Sequence, residues 1–210
     1  MNIIGICGSP RPNGNSAQML EAALEGARAA GAVTKRIDLY GLDIKGCCAC
    51  FGCKLLGSEG FGRCNLQDDL TPVLEQVLAA DGVIVAAPIF FEDVSACTRA
   101  FWERMWFPAQ QYAKNFASAY KKRVKVGLIY TMNMPTADSY KELIGKQKFL
   151  CSMLIGKTET LCAVDTVQFP DYDKYSSAMF DGPAKLARRE TEFPKECAKA
   201  FELGKRMAEG

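Results

Sequence analysis

The chain contains no histidine. That absence removes Ser-His-Asp and Cys-His nucleophilic machinery, and it takes away imidazole as proton shuttle or metal ligand. Net charge is scarce as well. The 26 Lys and Arg nearly balance 24 Asp and Glu, leaving +2, too little to build a field that gathers nucleic acid or an anionic membrane surface. The basic run Lys121-Lys122-Arg123-Val124-Lys125 reads as a solvated lead-in to a strand. No uninterrupted apolar stretch reaches bilayer length, and no charged-then-apolar leader opens the sequence. The expectation is a cytoplasmic protein without nucleic-acid or membrane partners.

Ten cysteines in 210 residues fall short of a disulfide scaffold but exceed casual use in a reducing compartment. With histidine gone, chemistry has to come from a thiolate, a carboxylate, a tyrosine or a bound cofactor. Redox chemistry on a cofactor suits this constraint, because the protein then supplies position rather than a base.

The first sixteen residues are the most informative. An apolar run, Asn2 to Cys7, empties into Gly8-Ser9-Pro10-Arg11-Pro12-Asn13-Gly14-Asn15-Ser16, after which an amphipathic helix begins. A helix start offers unpaired backbone N–H groups and the positive end of a dipole, which together attract phosphate. Ser9, Asn13, Asn15 and Ser16 add neutral donors, and Arg11 adds the one formal charge. A P-loop needs Lys after its last Gly, but Asn15 follows Gly14 here. A dinucleotide loop needs closely spaced glycines, and Pro10, Pro12 and Asn13 stand in their place. A roomier loop for a single terminal phosphate remains.

Strands and helices then alternate. Asn15, with Gln18 three residues on, is a candidate N-cap, and Met19, Leu20, Ala23, Leu24 and Ala27 recur at helical spacing until Gly31. Strands are expected at 33–39, 82–87, 124–130 and 160–167. Helices are expected from Asp68-Asp69 and Thr71-Pro72 onward, from a cap at Ser95, at 140–154 and at 192–207. The segment Pro88-Ile89-Phe90-Phe91 is expected to end the third strand, whose run Gly82 to Ala87 is apolar throughout, as in a central strand covered on both faces. Five rounds of alternation without a repeat or linker argue for one domain, residues 1–210, built on a doubly wound parallel sheet.

Ligands of such sheets sit beyond the carboxyl ends of the strands, at the topological switch point. Three segments should converge there: 8–16 for a phosphate, 88–95 with two consecutive aromatics for a flat ring, and 131–135 with polarizable side chains and amides. One of Phe90 and Phe91 is expected in the core, since adjacent residues at a strand end point apart.

Ser9 to Ser16 together with Pro88-Ile89-Phe90-Phe91-Glu92-Asp93-Val94-Ser95 resembles the NADPH-dependent FMN reductase family of flavodoxin-like proteins. With Cys47, Cys50, Cys53 and Cys64 in between, the likeness is greatest to that family's iron–sulfur flavoprotein branch. It covers about residues 1–106, and afterwards only the order of elements matches. The resemblance implies a flavodoxin-like α/β fold: a five-stranded parallel sheet of order 2-1-3-4-5 with helices on both faces. It also implies bound FMN. Ser9, Arg11, Asn13, Gly14, Asn15 and Ser16 would hold its phosphate, Pro88, Ile89, Phe90 and Phe91 would line its ring, and Val94 and Ser95 would close the second loop. The third loop departs from the family's glycine-rich turn, so Thr131, Met132 and Asn133 carry over only as approximate ring contacts.

The cysteine-rich loop, about 41–65, stays open between three readings. Cys47-x2-Cys50-x2-Cys53 with Cys64 is compact enough for one 4Fe–4S cluster. Zinc competes, although four-thiolate zinc sites more often use two separated pairs. The third reading is a loop of packed thiols without metal. The gap from Cys53 to Cys64 is longer than in the cluster-binding branch. Cys7, Cys97, Cys151, Cys162 and Cys197 read as packing thiols.

The function so implied is an FMN-dependent oxidoreductase passing electrons from NAD(P)H or a protein donor to a small acceptor. The alternative is an electron carrier relaying between partner proteins. Trp102, Trp106, Phe107 and Tyr112 suggest a subunit contact near the ring, and a homodimer or homotetramer is expected.

Overall fold

The computed structural model describes residues 1–113 and 117–209. Its strands are β1 (Asn2–Cys7), β2 (Val33–Asp38), β3 (Gly82–Phe90), β4 (Asp93–Val94), β5 (Lys125–Thr131) and β6 (Thr158–Ala163). The helices are α1 (Asn15–Ala29), α2 (Leu70–Ala79), α3 (Ala96–Ala109), α4 (Lys141–Leu154), α5 (Gly182–Thr191) and α6 (Phe193–Ala208). The main sheet runs β2-β1-β3-β5-β6, all parallel. Counted as five parallel strands, this is the expected 2-1-3-4-5 order.

Period-two alternation explains why these strands are apolar on both faces. Ile3, Cys7, Ile84, Ala86 and Ile129 face one core, filled by Met19, Leu20, Leu24, Leu203 and Met207 from α1 and α6. Ile4, Ile6, Val83, Val85, Val126, Leu128 and Tyr130 face the other, with α2, α3 and α4. Each such fully buried aliphatic side chain contributes roughly 1.5–3 kcal/mol by leaving water. No helix among the described residues is long and apolar enough to cross a membrane.

The structure corrects several sequence expectations. β3 does not stop at Ala87 but continues to Phe90, and it turns back through Phe91-Glu92 into β4, a sixth strand paired antiparallel to it. Gly14 rather than Asn15 occupies the α1 N-cap. Ser95 does occupy the N-cap position of α3, as expected, but its hydroxyl makes no capping bond to the helix backbone; it donates instead to the Gly8 carbonyl (2.6 Å) and pairs with Thr98 Oγ1. β6 ends at Ala163, and the polypeptide from Val164 onward leaves the sheet. The closing helix is preceded by α5, whose start carries ordinary signals: Asp181 accepts from the Ala184 N–H and Pro183 occupies the first turn. Trp102 and Trp106 are buried and stacked on one another at 5.1 Å, so they belong to the core, while Tyr112 is exposed. Of the five packing thiols, Cys7 and Cys151 are buried and Cys97, Cys162 and Cys197 half-buried. Burial pushes all five up, Cys151 to about 12.

Candidate functional site

The chain passes from β1 outward to β2 and then crosses to β3 on the other side, so the switch point lies between β1 and β3. A cleft of about 190 Å³ opens there. Ser9, Arg11, Gly14, Asn15 and Ser16 line it from the first loop, Pro88, Ile89 and Phe90 from the second, and Thr131, Met132 and Asn133 from the third. The remaining four expected residues lie elsewhere. Asn13 is exposed, its carbonyl accepting from Gln18 Nε2 at 2.7 Å. Phe91 is fully exposed at the hairpin tip, and Val94 and Ser95 are buried beneath the loop.

Sequence reasoning missed the fourth wall, Thr166, Val167 and Gln168. The apolar stretch through Val167 concealed where β6 ends, but the rule that ligands gather beyond strand ends points to it. This segment is tied to both phosphate-loop side chains. Arg11 Nη1 donates to the Gln168 carbonyl (2.7 Å), and Asn15 Nδ2 donates to that of Val167 (2.9 Å). It is also tied to the third loop, since the Thr166 N–H and hydroxyl both donate to the Met132 carbonyl. Ser16 Oγ and Thr131 Oγ1 meet at 2.7 Å, joining the first loop to the third.

Two features fit this cleft to a phosphate-bearing ring. The first intrahelical bond of α1 runs from the Gln18 N–H to the Gly14 carbonyl, so the N–H groups of Asn15, Ser16 and Ala17 have no intrahelical acceptor. Among the described residues, Asn133 Oδ1 is also a buried acceptor without a donor. Arg11 is the only ionisable side chain in the lining. The cleft therefore offers mainly neutral donors and acceptors, with one fixed positive charge.

A second pocket, more enclosed, lies against α3. Cys47, Cys48, Cys50, Cys53 and Cys64 line it with Phe51, Arg104 and Phe107, so the four sequence-predicted thiols border the same pocket. All are free thiols. Ala49 and Phe51 take left-handed φ of 51° and 58°, a backbone that winds the loop tightly and costs non-glycine residues of order 1 kcal/mol or more. Burial pushes Cys53 up, Lys54 pulls it down, and the sulfurs of Cys64, Cys47 and Cys50 push it up again. Among the described residues no three candidate ligands are grouped closely enough for one ion, the arrangement a tetrahedral zinc needs. Arg104, which sequence reasoning did not single out, donates from Nε to Cys64 Sγ at 3.2 Å and pairs with Asp68. Lys54 donates to the carbonyls of Phe107 and Gln110 at the end of α3.

A parallel sheet of this order, with its cleft at the switch point and a helix N-terminus facing it, defines the flavodoxin-like class. Solved structures agree: an NAD(P)H:quinone oxidoreductase from Methanothermobacter marburgensis superposes over 100% of this chain and 98% of its own (TM-score 0.68, 16% identity). A flavone reductase superposes over 100% and 62% respectively (TM-score 0.64, 18% identity). The family follows from sequence: the model of NADPH-dependent FMN reductases matches residues 1–131, and the chain belongs to that family. Among curated relatives, an iron–sulfur flavoprotein of Methanocaldococcus jannaschii is 35% identical over 104 residues, 50% of this chain and 51% of the relative. One from Methanosarcina thermophila is 36% identical over the same length, 50% and 52%. The match thus spans about half the length of these relatives.

Proposed function

We propose that this chain, as one FMN-binding unit, is an oxidoreductase carrying electrons from NAD(P)H through bound flavin to a small acceptor such as a free flavin or quinone. The observation that carries the reading is the cleft at the switch point: unpaired helix N–H groups at one end, an unpartnered buried acceptor at the other, and no side-chain base between them. The N–H groups of Asn15 and Ser16, with Ser9, Arg11 and the turn at Asn13-Gly14, hold the phosphate. Pro88, Ile89 and Phe90 form one side of the ring site and Thr131, Met132 and Asn133 the other. Phe91, Val94 and Ser95 shape the hairpin that presents Phe90. When bound, FMN would supply the hydride and single-electron chemistry. The protein's residues would position the ring between the second and third loops, and the Ser16–Thr131 hydroxyl pair ties the first loop to the third.

A second reading, an electron carrier serving protein partners, is favoured by one observation: Cys47, Cys50, Cys53 and Cys64 line a common pocket. These thiols would hold a 4Fe–4S cluster, with Arg104 supporting Cys64. One experiment separates the possibilities. Anaerobically purified protein is expected to show flavin absorption that NADH or NADPH bleaches rapidly; iron and sulfide near four each, with slow bleaching, would favour the relay. A colourless protein that takes up no FMN on titration overturns both.

A further inference from the structure

Helix α5 is oddly composed for an element against a core. Its sequence, Gly-Pro-Ala-Lys-Leu-Ala-Arg-Arg-Glu-Thr, buries a lysine rather than leucine: Lys185 is 6% exposed, whereas Leu186 is 40% exposed. Burying an ammonium is costly unless its bonds are satisfied, so its position demands a reason. Lys185 Nζ pairs with the Asp165 carboxylate, donates to the Asn133 carbonyl at 3.2 Å, and lies over the Phe180 ring. Asp165 takes a left-handed φ of 51°, and its N–H donates to the Met134 carbonyl at 2.7 Å. Lys185 therefore grips the third cleft loop and the 165–168 wall together.

One turn further on, Arg189 reaches the first loop. Its Nη1 donates to Asn15 Oδ1 and its Nη2 to Gln18 Oε1, both at 2.7 Å, while the guanidinium lies 4.0 Å from the Phe193 ring centroid. Asn15 is thereby held from both sides, because its amide nitrogen is bonded to Val167. The guanidinium also places a fixed positive charge beside the first turn of α1, where the unpaired N–H groups lie. Between these two residues, Arg188 bonds Glu196 at 2.6 Å and fastens α5 to α6.

We infer that α5 is a two-point clamp on the flavin cleft, Arg189 ordering the phosphate end and Lys185 the ring end. The inference rests on the flavin reading of the cleft. Both are positioning residues, acting through Asn15 and Asn133 respectively. The geometry separates their effects: disturbing Arg189 should matter only to a ligand that carries the phosphate, and disturbing Lys185 to any ligand that carries the ring.

Titrations of FMN and of riboflavin, followed by flavin fluorescence, read the two ends independently. R189M, which keeps an apolar contact on Phe193, is expected to weaken FMN about tenfold, the scale of one lost charge-assisted hydrogen bond, and to leave riboflavin unchanged. K185M is expected to weaken both ligands by a similar factor. R189K keeps the charge but not the two-pronged contact and should fall between wild type and R189M for FMN. It also serves if R189M fails to fold, and D165N serves likewise for K185M. Equal loss of FMN and riboflavin in the Arg189 variants, or unaltered affinities in the Lys185 and Asp165 variants, overturns the clamp. Wild-type protein that binds neither flavin overturns the reading of the cleft itself, so the two failures are distinguishable.

Discussion

Among single residues, Arg104 is under the tightest constraint. Its side chain is fully buried and donates to Asp68, to the carbonyls of Lys45 and Leu66, to Thr71 Oγ1 and to Cys64. Asp68 supplies the countercharge. Burial alone would push its carboxyl up, but the hydrogen bond from Arg104 and the N–H groups of Lys45 and Leu70 hold it below the ordinary value of 3.8. A carboxylate lowered in the folded state stabilises fully above that value and stops doing so as pH falls through its folded pKa. D68N leaves a buried guanidinium without its anion, and it should lower unfolding free energy by about 3 kcal/mol at neutral pH. The difference between wild type and D68N should narrow as pH drops below 3.8. Urea unfolding across pH 2.5 to 7 checks this (roughly the span over which carboxylates titrate), and a constant difference would exclude Asp68 as the titrating partner.

Elements were legible where one physical signal dominated. The strands β1 and β3 announce themselves by apolar residues on both faces, and α1 by Met19, Leu20, Ala23, Leu24 and Ala27 against Gly31, which does end the helix with φ of 85°. The phosphate loop was legible for the same reason, a strand running directly into a helix. The β3–β4 hairpin was not, because its turn residues are wrong for the job. Phe91 and Glu92 both take positive φ, 46° and 68°, which is the type I′ turn that ordinarily selects Asn-Gly. The exposed Phe91 ring gives nothing back in burial. Replacing the pair with Asn-Gly should therefore raise stability by about 1 kcal/mol, seen as a higher guanidinium midpoint. An unchanged midpoint would mean the turn carries no strain. Helix α5 escaped for the opposite reason: its start signals are ordinary, but its buried face is a lysine, so no apolar stripe marks it.

For the molecule as a whole, the family match ends at residue 131, yet the cleft depends on residues beyond that point. The 166–168 wall, Lys185 and Arg189 all come from the later part, and so does α6, which lies directly on α1. The two helices meet backbone to backbone. A Cβ on Gly204 would stand 1.7 Å from the Ala23 carbonyl oxygen, and one on Gly26 would stand 1.9 Å from that of Phe201. Neither oxygen can yield, since each is a carbonyl within a helix, so G204A must push α6 off α1. A cost of about 3 kcal/mol is expected, with weaker flavin binding because the start of α1 moves with the helix. G26A should cost a similar amount, but the double variant should cost less than the sum, because separating the helices once makes room for both methyl groups. Denaturant unfolding of the four proteins closes this cycle. Full additivity would show that the two contacts relax separately and that α1 and α6 do not move as rigid bodies.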